Sequence, residues 1–343
     1  MTPAILPRDA LLDDSDSAPQ IPVCDHYCGT LPRMQKAMAL QAEMGPVFDI
    51  TLDCEDGAPI GAEAEHAAMV AELVLGADNR FGRIGARVHP VDHPAFTDDV
   101  RTLVGRAGHR LAYVMVPKPR HLDDIEQAVL HIDRVAAEHG HSAALPIHTL
   151  IETHGALRDV QAIADLPRIE SLSFGLMDFV SAHRGAIPQA GMSAAGQFTH
   201  PLVLRAKLAI AAACHAAAKV PSHCVVTEFK DAAAIQEAAT RAARELGYLR
   251  MWSIHPAQIR PIVEAFAPSA AEIDEAIEII LAAQAAAWAP IRHRDTLHDR
   301  ASYRYFWQLI ERARRTGQPL PAQVQAQLFG QTLGHTLGPA AAA

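Results

Sequence analysis

Short runs of β-branched and apolar residues alternate along the chain with longer stretches whose apolar positions recur at helical spacing. The short runs are Ile21–Tyr27, Val47–Asp53, Ile84–His89, Ala112–Pro117, Pro146–Glu152, Glu170–Phe174, Pro221–Val226 and Leu249–Ile254. The helical stretches between them are Leu31–Met44, Ala62–Leu75, Ala95–Arg106, Leu122–His139, Ala156–Ala164, Pro201–Lys219 and Lys230–Leu246. A period near 3.6 puts their apolar residues on one face, which then packs on a sheet. Asp123 and Asp124 complement the dipole at one helix start, and Gly247 stops another helix after Leu246. Strand–helix alternation repeated eight times predicts a parallel α/β fold closed as a (β/α)₈ TIM barrel. A doubly wound open sheet is the alternative. Apart from this rhythm the chain carries no internal repeat.

Helical pattern continues past the eighth strand in Pro256–Phe266, Ala271–Trp288 and Ser302–Thr316, with Ala289–Asp299 read as a linker. The expected organisation is a flexible acidic leader over 1–20, a barrel catalytic domain over 21–268, a C-terminal helical extension or lid over 269–330 and a flexible tail over 331–343. The first residues carry Asp9, Asp13, Asp14 and Asp16 rather than the positive, then apolar, pattern of a signal peptide. No stretch approaches the roughly 18 apolar residues of a membrane helix. The expectation is a cytoplasmic protein without membrane contact.

Composition narrows the classes further. In 343 residues, 39 acids outnumber 30 bases, a formal charge of −9, which argues against general nucleic-acid affinity. It does not exclude an anionic substrate, because a local cationic pocket fits within an acidic protein. Half of the residues are hydrophobic, enough for a large core. The five cysteines, Cys24, Cys28, Cys54, Cys214 and Cys224, are odd in number and scattered, against a disulfide framework. Cys24-x-His26-x-Cys28 has zinc-like content but no second pair at matching spacing, so buried thiols are the expected reading.

In a barrel, chemistry sits at the C-terminal ends of the strands. Those ends carry Asp53-Cys54-Glu55-Asp56-Gly57, Arg87, Lys118, Glu152, Asp178, Glu228 and His255. Each alone would pass as a solvated loop residue. Asp53 or Asp56 could serve the turn before Gly57, and Arg87 could pair with Glu55. Their convergence on one rim points to a site. Glu152 and Asp178, at the mouths of neighbouring strands, suit Mg²⁺ (or Mn²⁺), a hard ion that takes oxygen ligands. A 2-oxo or 2-hydroxy acid would complete the shell as a chelate. Arg87 could hold its carboxylate by a two-point fork, and the cation would stabilise enolate or alkoxide charge. Lys118 is the one lysine of Lys36, Lys118, Lys207, Lys219 and Lys230 at a strand end. It could contact a phosphate or carboxylate, or form a Schiff base, the rival chemistry.

Six motifs occur in order: Leu52-Asp53-Cys54-Glu55-Asp56-Gly57, Arg87-Val88-His89-Pro90, Val116-Pro117-Lys118, Ile151-Glu152-Thr153, Phe174-Gly175-x-x-Asp178 and Ile254-His255-Pro256-x-Gln258-Ile259. Over about 21–281 the set resembles the citrate lyase beta-subunit-like branch of the HpcH/HpaI aldolase superfamily, which includes malyl-CoA lyases and thioesterases. The resemblance implies a Mg²⁺-dependent (β/α)₈ barrel that makes or breaks a carbon–carbon bond, usually in a CoA or acyl-carrier thioester of a hydroxy acid. It implies metal ligation by Glu152 and Asp178, carboxylate binding by Arg87, and an acidic pair, Glu55 and Asp56, near the metal waters. Lys118 and His255 are the further expected substrate contacts. It also implies trimers or hexamers in which a lid aspartate enters a neighbouring site, with Asp299 in the corresponding place. The pattern departs from the family at Asp25-His26-Tyr27-Cys28-Gly29, Ser222-His223-Cys224 and Arg250-Met251-Trp252-Ser253. These positions surround the thioester-binding mouth. They leave open a thioesterase, an aldolase of free oxo acids, and a non-enzymatic acyl-binding subunit.

Overall fold

A computed structural model of the chain describes residues 5–13, 19–141 and 144–330. The described residues form two compact units, one within Ile21–Phe266 and the other from the described parts of 1–20 and of the chain after Phe266. The first is a closed barrel of eight parallel strands in sequential order. The strands are β1 (Cys24–Cys28), β2 (Phe48–Asp53), β3 (Ile84–Arg87), β4 (Val114–Val116), β5 (Ile147–Ile151), β6 (Ile169–Phe174), β7 (Val220–His223) and β8 (Arg250–Ser253). β1 pairs with both β2 and β8, which closes the barrel and excludes the open-sheet alternative.

All eight expected strands form, each shifted by at most a few residues at its ends. Two helices match their apolar pattern at both ends, Leu31–Met44 and Pro256–Phe266. The stretch expected as one helix over Ala156–Ala164 is broken into His154–Arg158 and Val160–Asp165, with Asp159 at the junction. A short helix at Leu176–Ser181, absent from the expectation, carries Asp178. Among the described residues no helix is long and apolar enough to cross a membrane. All five cysteines are buried and unpaired.

The outer faces of the strands pack apolar side chains such as Phe48, Ile50 and Ile84 against the surrounding helices. The barrel interior is polar. Arg250 on β8 lies 3.0 Å from the Asp25 carboxylate on β1 as an ion pair and also pairs with Asp49 on β2, all three fully buried. Thr51 Oγ1 donates to Asp25 at 2.7 Å, and Tyr113 Oη joins both groups. Burial raises the Asp49 carboxyl, but Arg83 and Arg250 outweigh it and hold its pKa below the usual range. A buried ion network of this kind adds little net stability over apolar packing; it penalises any arrangement that leaves one member unpaired. Gly85 is required beside it, since a Cβ there would lie 2.2 Å from the Tyr113 ring. Above this layer Tyr27 stacks on Trp252 at 4.1 Å, forming the floor on which the site stands.

The second unit corrects two expectations. The stretch over 1–20 is not wholly irregular: Pro7–Leu11 is helical and buries Leu11 among Ile273, Ile280 and Trp307 of the C-terminal helices. Ala289–Asp299 is a hairpin, Ile291–His293 paired antiparallel with Thr296–His298, its turn made by Arg294 and Asp295 at positive φ. Helices at Ala270–Ala285, Arg300–Arg315 and Ala322–Phe329 complete the extension. The tail expected over 331–343 lies outside the described residues.

Candidate active site

The strand ends supply the site as the alternation of side chains dictates. Residues two apart on a strand share a face, so Asp53 follows Thr51 into the barrel and Arg87 follows Gly85. Register puts Asp53 beside Arg87. Arg87 grips Asp53 with two hydrogen bonds, from Nε at 2.7 Å and from Nη2 at 2.5 Å, and Glu55 with a third ion pair at 3.0 Å. Asp53 also accepts the backbone N–H groups of Glu55 and Gly57. It was legible in the sequence only as a turn residue. In the structure it is the anchor that fixes both the arginine and the acidic loop.

Lys118 follows β4 with φ +50, in the left-handed region that a residue with a side chain seldom adopts. That turn aims its backbone N–H at Glu152 Oε1, 2.7 Å away. Its ammonium reaches Glu55 at 2.5 Å, Asp56 at 2.7 Å and Asp178 at 3.8 Å. Burial lowers a lysine pKa, but the bonds to Asp56 and Glu55 overcome it and hold the ammonium firmly charged. Schiff-base chemistry needs the opposite, a neutral amine. That rival for Lys118 is therefore set aside.

Glu152 follows β5 and is 3% exposed, whereas the Asp178 side chain is 43% exposed. Gly175 passes directly over Glu152: a Cβ at that glycine would lie 2.1 Å from Oε2. Burial, then the charge of Asp178, push the Glu152 carboxyl up to about 8. Both face a cavity of about 390 Å³ lined also by Tyr27, Asp53, Asp56 and Arg87. Among the described residues no three His, Cys, Asp or Glu side chains converge as a complete metal cage. A buried carboxylate beside a second, more exposed one on the same cavity fits a divalent ion that keeps most of its shell for water and substrate. The donor set therefore suits Mg²⁺.

The raised Glu152 value has a consequence for the metal-free protein. A carboxyl whose folded pKa exceeds its unfolded value stabilises the fold while protonated. That contribution is complete below about 4.5 and is lost as pH rises through about 8. Melting in chelator should show a decline over this window on the order of 5 kcal/mol, since one pKa unit is about 1.4 kcal/mol. Glu152→Gln should flatten the decline; an unchanged pH profile in that variant would assign it to other groups.

Not every expected residue joins this cluster. His255 lines a second cavity of about 430 Å³, with His26, Arg33, Lys36 and Phe229. Tyr27, Cys28, Arg33 and Ile254 border both cavities. Asp299 belongs to the C-terminal unit, where it caps the helix Arg300–Arg315 by accepting the N–H groups of Ala301 and Ser302. Arg33 and Lys36 were overlooked as site residues. The signal was two cations near the start of the first barrel helix, just beyond a strand end.

Fold and site together define a (β/α)₈-barrel protein with an acidic, arginine-bearing pocket at its strand ends. The chain belongs to the HpcH/HpaI aldolase/citrate lyase family, which residues 31–256 match. It is 29% identical over 268 residues to the L-malyl-CoA/beta-methylmalyl-CoA lyase of Cereibacter sphaeroides, covering 75% of this chain and 82% of that one. It is 26% identical over 261 residues to the malyl-CoA/beta-methylmalyl-CoA/citramalyl-CoA lyase of Chloroflexus aurantiacus, covering 71% of this chain and 74% of the relative. A crystal structure of a citrate lyase from Burkholderia xenovorans superposes with a TM-score of 0.82 at 54% identity, over 95% of this chain and all of that one. CitE of Mycobacterium tuberculosis, solved with magnesium, acetoacetate and coenzyme A, shares the fold at 18% identity with a TM-score of 0.65, over 87% of this chain and 98% of that one.

Proposed function

We propose that this protein is a Mg²⁺-dependent carbon–carbon lyase that cleaves, or in reverse forms, the CoA thioester of a 3-hydroxy acid. The observation that carries this reading is the Glu152–Asp178 pair facing the same cavity as Arg87. Glu152 and Asp178 would hold the ion, with water and substrate oxygens in its remaining positions. The bound cation supplies Lewis-acid stabilisation of the enolate charge that bond cleavage releases.

The chain's own residues supply the rest. Arg87 spends two of its five N–H donors on Asp53 and ion-pairs with Glu55 through Nη1, which together hold the guanidinium plane still. Its remaining donors serve the substrate carboxylate. A base must take the substrate hydroxyl proton. The candidates are a water held by Glu55 or Asp56, and Asp299 from a second copy in a trimer or hexamer. Arg33 and Lys36 in the outer cavity suit the phosphates of CoA, and Phe229 and His255 offer ring faces to its base.

The test is a product assay on malyl, citramalyl and citryl thioesters and the corresponding free acids, with and without Mg²⁺. The expected result is an oxo acid and a shortened acyl-CoA, formed only with the metal. Free CoA with the hydroxy acid intact would make the protein a thioesterase and overturn the lyase reading. Turnover of free acids alone would remove CoA from it.

A further inference from the structure

Lys118 meets four acids of the rim, Glu55, Asp56, Glu152 and Asp178. Its backbone N–H holds Glu152, and its ammonium contacts Glu55 and Asp56 with Asp178 at 3.8 Å. The ammonium does this from a residue at φ +50, an arrangement costing conformational energy that the surrounding contacts must repay. The side chain is 28% exposed, so it has an open way out toward solvent.

We propose that Lys118 is a resident cation that competes with the divalent metal: its ammonium neutralises the acidic rim in the metal-free protein and is driven off Asp178 when the ion binds. This rests on the reading that Glu152 and Asp178 hold the metal. The physical reason is charge. A divalent ion on Asp178 and the ammonium beside the same carboxylate would repel each other across a few ångströms, partly shielded from water. Each can hold the rim only at the expense of the other. Lys118 thereby keeps four acids together in a protein without metal, sets a lower metal affinity than the bare carboxylates would show, and becomes available to an anionic substrate group once metal has bound.

The test measures binding, not turnover. Calorimetric titration with Mg²⁺ and with Mn²⁺ would compare the unaltered chain with Lys118→Met, which keeps the stem and removes the charge. The expected result is metal binding tighter by about tenfold or more, from the lost repulsion, while Lys118→Arg stays near the unaltered value. Equal or weaker binding in Lys118→Met would overturn the proposal and make Lys118 a scaffold for the metal ligands. A second measurement uses the unaltered chain, so that a variant that does not fold leaves the question answerable. Acetic anhydride labelling of Lys118, read by peptide mass spectrometry, should rise several-fold on adding Mg²⁺. Unchanged or reduced labelling would overturn the idea. Glu152→Gln and Asp178→Asn should abolish the metal response altogether. If instead they bind metal as the unaltered chain does, the assignment of the metal ligands fails, separately from the role of Lys118.

Discussion

Glu152→Gln and Asp178→Asn should each lower Mg²⁺-dependent turnover by about a thousandfold or more, because Lewis-acid stabilisation is worth several kcal/mol. Each change keeps the shape of the side chain and removes one anionic ligand. The cavity shows why neither carboxylate can substitute for the other. Glu152 is fixed by the Lys118 N–H and roofed by Gly175, whereas Asp178 sits on a short helix at the open edge. Two ligands acting as one unit are not additive, so the double variant should be hardly worse than either single one. Stability separates loss of chemistry from loss of fold. Burial and Asp178 push the Glu152 carboxyl up to about 8, so in chelator at neutral pH it is largely neutral already, and Glu152→Gln should be about as heat-stable as the unaltered chain. Initial rates with and without chelator, together with melting curves, decide the matter. Full activity in chelator would end the metal reading.

The barrel was legible because its signal is repetitive. Eight apolar runs with helical stretches between them admit few folds, and an error at one strand edge leaves the count intact. The rim residues were legible for a related reason: strand ends locate them without side-chain coordinates. Pairing across the sheet was legible only in part: the expected ion pair of Arg87 with Glu55 forms, but the stronger one with Asp53 was not foreseen. Asp53 and Arg87 are 34 positions apart, and their ion pair depends on the register of β2 against β3. The position of the Lys118 ammonium needs a positive φ that no local residue pattern announces. The hairpin after Ala289 was missed because its strands are three residues each and mostly exposed, with no alternating apolar face. The break at Asp159 escaped because helical spacing of apolar residues persists through it. His255 was expected from its motif as a substrate contact, without a position relative to the acidic rim. The turn after β8 places it in the outer cavity, beside Phe229 at 4.8 Å.

Arg87→Lys should lower kcat/KM about a hundredfold for a thioester bearing a distal carboxylate, since an ammonium cannot make the planar two-point contact. The geometry makes this a sharper test than charge alone suggests. Arg87 is 8% exposed and holds Asp53 by two bonds, so lysine would also leave a buried carboxylate short of a donor. The cost of that shortfall is about 1–3 kcal/mol of stability, that of an unmet buried acceptor. Loss of activity by itself would therefore not distinguish substrate binding from support of Asp53. A pair of substrates does. A thioester lacking the distal carboxylate makes no use of the free guanidinium edge, so its poor turnover should fall little in the variant. The carboxylated substrate should fall by the full factor, chiefly through KM. Asp53→Asn supplies the converse, loosening Arg87 while leaving its fork in place. It should weaken both substrates by similar, smaller factors. Equal losses for the two substrates in Arg87→Lys would mean that the arginine serves only to position the acidic loop, and that another cation meets the substrate carboxylate. Lys118, whose ammonium lies 3.8 Å from Asp178, would then be the cation to test by the same pair of substrates.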